Sequence, residues 1–254
     1  MIVSALYRRA RAAAKAGLPK DAPVRDTNRV FAFDADDTLW HNEKFFRLTQ
    51  ERFAGLLADH AEVETLGAKL LAAERRNLGH YGFGIKGFTL SMIETALEVT
   101  DRQVPGAVIA EILAAGQEML RHPIELLPGA EEAVAALAER GRVILITKGD
   151  LLDQERKLAQ SGLGDAFDAV EIVSDKTEAT YARLFAGSTF ALMAGNSMKS
   201  DILPALAAGA HGVHVPHETT WALEEAEDPA AGPRFHRIAT LEALPELVDG
   251  LLGA

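Results

Sequence analysis

The sequence contains no cysteine among its 254 residues, which excludes disulfide bonds, thiolate nucleophiles and cysteine-ligated zinc or iron–sulfur sites. It also lacks an excess of basic residues, since 26 lysines and arginines face 37 aspartates and glutamates, for a formal net charge of −11. A general nucleic-acid-binding protein needs a basic face for the phosphate backbone, so we expect no nucleic-acid partner. No apolar run approaches the roughly 18 residues of a membrane-spanning helix, so we expect no membrane insertion.

The composition is that of a globular protein, with 48% hydrophobic and 25% charged residues. Residues 1–28 differ from the rest because basic side chains outnumber acidic ones there, and no apolar segment of a secretory signal follows them. We interpret them as a basic surface helix and linker, with an organelle transit peptide or a membrane-surface helix as alternatives. The cytoplasm is the expected location.

Short apolar runs that end in polar residues predict the strands of a parallel sheet. The strong runs are residues 30–33, 143–146 and 190–194, and the weaker runs are 169–174, 212–215 and the edge candidate 235–239. Continuous apolar runs of this kind are typical of strands that are covered on both faces. Amphipathic helix patterns lie between them, and this alternation predicts an α/β, doubly wound (Rossmann-like) fold.

A long helical insertion interrupts this alternation after the first strand. A parallel crossover needs only a dozen or more residues, whereas residues 41–125 hold three or four helical patterns. We therefore predict an α/β core made of residues 29–40 and 126–254, with residues 41–125 as an inserted helical cap. Within the insertion, the glycine-rich residues 79–87 are the stretch with the highest expected flexibility.

Polar residues follow the predicted strands at the sheet edge where ligands bind in open parallel sheets. Asp34, Thr147 and Asn196 each end a strong strand or follow it, and Lys176 lies just beyond a fourth strand. Asp34 and Asp36 are spaced so that one carboxylate can be ionised and nucleophilic while the other is protonated and acidic. Carboxylates this crowded need a cation, and the all-oxygen ligands favour Mg²⁺ over zinc.

Four motifs in this chain resemble those of haloacid dehalogenase-superfamily hydrolases. Residues 31–39 resemble the first motif, an apolar strand followed by Asp-x-Asp-x-Thr, and residues 145–149 resemble the second, a strand that ends in Ser or Thr. Lys176 is placed like the lysine of the third motif, and residues 195–202 resemble the fourth. The four occur in the family's order over about residues 29–215, and the insertion lies where this family carries its C1-type cap.

The resemblance implies a role for each matching residue. Asp34 would be the nucleophile that forms an aspartyl-phosphate, and Asp36 the acid and base for the leaving group and the water. The implied catalytic residues are Asp34, Asp36, Thr147 and Lys176, the substrate-binding residues are Thr147, Lys148 and Lys176, and the Mg²⁺ ligands are Asp34, Asp36, Asn196 and Asp201. Asn196 departs from the family, which usually has an acidic residue there, so either Asn196 or Asp201 could be the direct ligand.

We therefore expect a Mg²⁺-dependent phosphomonoester hydrolase that acts on a small phosphorylated metabolite. Asp36 favours phosphate-ester chemistry, because family members that cleave carbon–halogen bonds generally lack an acid at this position. The alternatives are a phosphomutase, a metal-independent 2-haloacid dehalogenase, and a catalytically weak binding protein in which Asn196 is the first sign of decay. The motifs predict neither the substrate nor the oligomeric state.

Overall fold

The structure is a computed structural model that describes residues 25–253, so the predicted N-terminal helix lies outside the described residues. The contacts divide the described chain into two compact units. An α/β unit comprises the residues up to His41, Ile124–Thr147 and those from Glu155 onward. A helical unit comprises Asn42–Pro123 together with Lys148–Gln154, a short segment that the sequence prediction places in the core.

The α/β unit is built on a six-stranded sheet. Its strands are β1 (Asp26–Phe33), β2 (Gly141–Lys148), β3 (Ala169–Val173), β4 (Phe190–Gly195), β5 (His211–His214) and β6 (Phe235–Arg237), in the order β3-β2-β1-β4-β5-β6. β1 pairs in parallel with both β2 and β4, and β5 pairs in parallel with β4 and β6. The chain therefore fills one half of the sheet and then the other, which confirms the predicted doubly wound fold and puts its switch point between β1 and β4.

The helical unit has a hydrophobic core of its own. It contains α1 (Glu43–Leu56), α2 (Val63–Tyr81), α3 (Ile85–Val99) and α4 (Gly106–Met119). Their apolar faces meet in a buried cluster whose members include Phe53, Leu70, Phe88 and Met92. This buried cluster accounts for the amphipathic periodicity of the four helices.

The glycine-rich residues 79–87, for which the composition predicts the highest flexibility of the insertion, contain a short turn between two helices. α2 continues to Tyr81 and α3 begins at Ile85, so three residues join the two helices. Gly82 has a φ of 72° and Gly84 a φ of 112°, backbone angles that residues with a side chain rarely adopt. Gly82 and Gly84 therefore allow a tight turn. A glycine-rich composition is equally typical of a tight turn and of a flexible loop, so composition alone does not distinguish them.

Helices cover both faces of the sheet in the α/β unit. They are α5 (Ala130–Arg140), α6 (Leu151–Ser161, whose first turn belongs to the helical unit), α7 (Glu178–Leu184), α8 (Leu203–Ala207) and α9 (Leu244–Gly253). Phe31 and Phe33 of β1 lie in one buried cluster, while Val30 and Ala32 lie in another. Since successive residues of a strand point to opposite faces, both faces of β1 are buried, which explains its unbroken apolar sequence.

Among residues 25–253, no helix is both long enough and apolar enough to cross a lipid bilayer.

Substitution by alanine should destabilise the protein to different extents at two glycines that have the same backbone conformation. Gly129 has a φ of 77° and Gly187 a φ of 78°. A Cβ atom at Gly129 would lie 2.6 Å from the backbone nitrogen of Glu242, whereas a Cβ atom at Gly187 meets no atom within 4 Å. Gly187→Ala should cost about 1 kcal/mol of backbone strain, and Gly129→Ala about 2–4 kcal/mol, because overpacking adds to it.

The measurement is the free energy of unfolding of both variants and the parent in urea. Equal losses for the two alanine variants would contradict the close approach of Glu242 to the start of α5.

Candidate active site

Asp34 is the first residue after β1 and lies at the switch point of the sheet. Its backbone N–H donates to the carbonyl oxygen of Ala194 in β4 at 2.9 Å, which extends the strand pairing by one residue. Its side chain is buried. The alternation along β1 and the pairing with β4 therefore fix a carboxylate at the edge where ligands bind in such sheets.

The chain turns back on itself directly after Asp34. The N–H of Leu39 donates to the carbonyl of Ala35 at 2.8 Å, and the N–H of Asp37 donates to the carbonyl of Trp40 at 2.7 Å. Asp37 occupies the left-handed region with a φ of 59°, which aspartate tolerates better than most residues with a side chain. This turn brings Asp36 beside Trp40, so both carboxylates of the first motif stay near the end of β1.

Lys176 lies between two buried carboxylates. Its ammonium group donates to Oδ1 of Asp34 and, at 2.7 Å, to Oδ1 of Asp201. The three side chains are buried, and Asp201 has no exposed surface at all. A buried charge is tolerated when it is paired and hydrogen-bonded, so these three groups depend on one another.

The pKa values of this trio follow from burial and from the neighbouring charges. Burial raises the pKa of Asp34 to about 7, and the negative charge of Asp201 adds to this, although Lys176 opposes it. Burial by itself would lower the pKa of Lys176, but the Asp201 and Asp34 carboxylates raise it above its usual value. Lys176 therefore remains a cation at neutral pH, while Asp34 is easily protonated unless a further cation stabilises its charge.

The side chain of Asp201 packs closely against the backbone at the end of β4. Asp201 belongs to a single π-helical turn, Met198–Ile202, and its Oδ2 accepts from the N–H of Ser197 at 2.9 Å. A Cβ atom at Gly195 would overlap the carboxylate of Asp201. The glycine that precedes Asn196 is thus required by the packing of Asp201.

Thr38 connects Asp34 to Asn196. Its hydroxyl oxygen lies 3.2 Å from Oδ2 of Asp34 and 3.3 Å from Oδ1 of Asn196, and it accepts from the N–H of Asn196 at 3.0 Å. The hydroxyl has one hydrogen, so it donates to one of these two oxygens at a time. Thr38 therefore joins the first motif to the fourth. The sequence analysis includes this threonine in the first motif but gives it no role.

Asp36 is held by two donors, and one of them was missed by the sequence analysis. Lys157 of α6 donates from Nζ to both carboxylate oxygens of Asp36, at 2.9 and 3.1 Å, and Nε1 of Trp40 donates to Oδ1 at 2.7 Å. Lys157 is buried, as are Asp153 and Gln154 on the same face of α6. Lys157 follows Asp153 by four residues and Gln154 by three, so the helical spacing places the three side chains on one face. This spacing alone does not distinguish a buried polar face from a solvated one.

The remaining predicted residues lie on β2 and in the helical unit. Thr147 is buried near the end of β2, two residues beyond Leu145, which pairs with Phe33 of β1. Lys148 belongs to the helical unit, where its ammonium group lies 3.9 Å from the ring centroid of Phe83. The structure thus brings Asp34, Lys176, Asp201 and Asn196 together, with Thr147 on the neighbouring strand.

The candidate cation ligands at this edge of the sheet are oxygen atoms, a ligand type that favours Mg²⁺ over zinc. Among residues 25–253, His, Asp and Glu side chains form no group of three or more that could hold a metal ion. Oδ2 of Asp34 and the amide oxygen of Asn196 both lie within hydrogen-bond distance of the Thr38 hydroxyl, while both oxygens of Asp201 already accept from Lys176 and Ser197. These donors fit Mg²⁺ if the amide of Asn196 and a backbone carbonyl complete the set.

Comparisons with known proteins point to one family. Residues 28–188 match the haloacid dehalogenase-like hydrolase family. A haloacid dehalogenase-like family hydrolase from Xanthomonas campestris is 40% identical, with 88% of this chain and 91% of that chain covered and a TM-score of 0.78. No curated protein matches the sequence.

More distant solved structures share the fold. The HAD-hydrolase YfnB from Bacillus subtilis, bound to magnesium, is 15% identical over 88% of this chain and 100% of that chain, with a TM-score of 0.60. L-2-haloacid dehalogenase from Xanthobacter autotrophicus, with chloropropionic acid covalently bound, is 21% identical over 89% of this chain and 100% of that chain, with a TM-score of 0.60. Phosphatases also occur among the similar structures.

The raised pKa of Asp34 predicts a pH-dependent stability in metal-free buffer with EDTA. Between pH values near 3.8 and about 7, the folded protein holds a proton on Asp34 that the unfolded chain has released. This stabilisation is fully present below pH 3.8 and is lost as the pH rises through about 7. Asp34→Asn should remove this part of the pH dependence.

The measurement is the free energy of unfolding in urea at several pH values across this interval. Asp165→Asn, a change at an exposed aspartate, is the matched control and should keep the dependence of the parent protein. An identical slope in the parent and in Asp34→Asn would show that Asp34 titrates like an exposed carboxylate.

Proposed function

The chain belongs to the haloacid dehalogenase-like hydrolase family and is a hydrolase, and we propose that it cleaves a small phosphorylated metabolite as a Mg²⁺-dependent phosphomonoester hydrolase. The similar structures include both phosphatases and dehalogenases, so the fold alone does not identify the reaction.

The placement of Asp36 carries the proposal. A halide ion leaves without needing a proton, whereas an alkoxide that leaves a phosphate ester is strongly basic and needs one. Asp36 lies in the turn directly after Asp34, and Lys157 and Trp40 hold its carboxylate. A second carboxylate that is fixed beside the first is useful for ester cleavage and has no task in the displacement of a halide.

In the first half-reaction, a carboxylate oxygen of Asp34 attacks phosphorus. The bond between phosphorus and the leaving oxygen breaks, and Asp36 in its protonated form gives its proton to that oxygen. Lys176 stabilises Asp34 in its charged form and orients it, since it donates directly to Oδ1. The products are an alcohol and an aspartyl-phosphate.

In the second half-reaction, water hydrolyses the aspartyl-phosphate. Asp36, now a carboxylate, takes a proton from the attacking water, the bond between Asp34 and phosphorus breaks, and inorganic phosphate is released. Asp34 returns as a carboxylate and Asp36 as an acid, so the enzyme is restored. A phosphomutase would instead return the phosphoryl group to the substrate, which makes product analysis the test between the two.

Several donors are assigned to the transferred phosphoryl group. The Thr147 hydroxyl and the Lys176 ammonium would donate to its oxygens, in the positioning and charge stabilisation that dominate phosphoryl transfer. Lys148, which belongs to the helical unit, is a further predicted substrate contact. Its ammonium faces Phe83, and Lys86 Nζ donates to Oδ2 of Asp150 at 2.9 Å, so the segment that begins at Lys148 is fixed within the helical unit.

Mg²⁺ would be held by the Asp34 carboxylate, the backbone carbonyl of Asp36 and the Asn196 amide, with Asp201 as the further candidate, and would supply positive charge to the phosphate. A phosphate dianion would enter a site where the carboxylates of Asp34, Asp36 and Asp201 outnumber the ammonium groups of Lys157 and Lys176. The excess of negative charge calls for a divalent cation.

The experiment that tests the proposal is a panel of phosphomonoesters, comprising nucleotides, sugar phosphates, phosphoglycolate-like acids and 4-nitrophenyl phosphate, together with 2-chloropropionate. We expect release of inorganic phosphate that requires Mg²⁺ and stops with EDTA. Asp34→Asn should lower kcat by a factor on the order of 10³ or more, because it removes the nucleophile. Asp165→Asn is the control and should retain the parent rate.

The panel also separates the rival reactions. Chloride release from 2-chloropropionate without phosphate release would show a dehalogenase and overturn the proposal. Transfer of labelled phosphate to a second sugar hydroxyl, rather than to water, would show a mutase. Absence of all three activities would leave a binding protein.

Asn196 yields a separate prediction on cation affinity. Asn196→Asp adds a negative charge within reach of the cation, so the Kd for Mg²⁺ should fall by about tenfold or more. Calorimetric titration with Mg²⁺ measures this without any turnover. Asn28→Asp adds the same charge near the opposite end of β1 and is the matched control. Equal Kd values in the two variants would place Asn196 outside the cation site.

A further inference from the structure

We propose that Lys157 is a positioning residue that, together with Trp40, holds the Asp36 carboxylate in the orientation needed for proton transfer. The inference rests on the proposed phosphatase function, because Asp36 has its task only if a leaving group needs a proton.

The contacts around Asp36 fix the plane of its carboxylate. Lys157 Nζ lies 2.9 Å from Oδ1 and 3.1 Å from Oδ2, so the ammonium group bridges both oxygens. The indole N–H of Trp40 donates to Oδ1 at 2.7 Å from a different direction. Two donors from two directions restrict both the rotation of the carboxylate and its displacement along the side chain.

The donors are themselves held firmly. Trp40 has no exposed surface, and its backbone bridges to Asp36 on one side and to Leu126 on the other. Lys157 is only 6% exposed. A buried ammonium group costs several kcal/mol unless a partner compensates for it. Asp36 is such a partner, so the ion pair accounts for the presence of a lysine on the buried face of α6.

Orientation matters more for Asp36 than for an ordinary surface carboxylate. The same group must give a proton to the leaving oxygen and later take one from water, so it must meet two reacting atoms in succession. A misplacement of about 1 Å in such a group can cost on the order of 100-fold in rate. Lysine and tryptophan offer only donors here, so they fix Asp36 without competing with it as proton acceptors.

Charge supports the same assignment. The carboxylates of Asp34, Asp36 and Asp201 and the ammonium groups of Lys157 and Lys176 carry a formal charge of −1. Lys176 forms ion pairs with Asp34 and Asp201, while Lys157 forms an ion pair with Asp36. Each lysine thus orients a different catalytic carboxylate.

Leaving-group dependence separates positioning of the acid from a structural role. kcat/KM reports the steps up to the first chemical step, in which Asp36 protonates the leaving group. In Lys157→Met, kcat/KM for an alkyl phosphate should fall about 100-fold. With 4-nitrophenyl phosphate, whose phenolate leaves without a proton, kcat/KM should fall by less than about threefold.

The second half-reaction provides an independent readout on the same variant. Asp36 still has to activate water after 4-nitrophenolate has left, so kcat for 4-nitrophenyl phosphate should fall and a pre-steady-state burst of 4-nitrophenolate should appear. Lys157→Arg should restore most of the loss, because a guanidinium also donates to both oxygens of a carboxylate. Trp40→Phe, which removes one donor, should show the same pattern to a smaller extent.

Arg156→Met is the matched control, since this neighbour on α6 donates to Gln160 instead, and it should leave both substrates unaffected. If Lys157→Met fails to fold, the same two kcat/KM values are compared in Trp40→Phe and Lys157→Gln. Equal losses on both substrates, or no loss on either, would overturn the positioning role while the parent enzyme remains a phosphatase. A parent protein without phosphatase activity would overturn the proposed function and this inference with it.

Discussion

The site depends on a single buried ammonium group that two carboxylates share. Lys176 donates to Asp34, at the end of β1, and to Asp201, in the π-helical turn after β4. Without the lysine, the two carboxyl groups would face each other away from water, and burial together with their mutual repulsion would oppose the ionisation of both. The contact therefore links the two halves of the sheet at the point where the strand order reverses.

The pairing of the strands in the sheet brings the residues of this site together. β1 is apolar throughout its second half because both of its faces are buried, and the first residue that can be polar is the one beyond its end. Asp34 occupies that position, and the pairing of β1 with β4 puts Gly195 and Asn196 beside it. A glycine before Asn196 is needed because Asp201 fills the space that a side chain would take.

The sequence predicts most of this fold because its signals are local. Apolar runs, helix periods and glycine stops each depend on a few neighbouring residues, and their alternation defines the topology. Motif order predicts Asp34 and Lys176 as site residues, and their side chains are in contact in the structure. Lys157 was not predicted, since its partner Asp36 is 121 residues away and the spacing of α6 identifies a face without saying what covers it. The form of the connection at Gly82 and Gly84 could not be predicted for a related reason, because glycine content signals a tight turn and a loose loop alike.

The second lysine also changes how Asn196 should be understood. With Lys157 included, the carboxylates of Asp34, Asp36 and Asp201 exceed the two ammonium groups by one charge. An aspartate at position 196 would raise this excess to two and attract a divalent cation more strongly, but it would also repel a phosphate dianion more strongly. At a few ångströms each such charge contributes on the order of 4 kcal/mol near a protein surface. An amide gives up cation affinity and relieves that repulsion, so Asn196 is compatible with a working phosphatase and is not by itself a sign of decay.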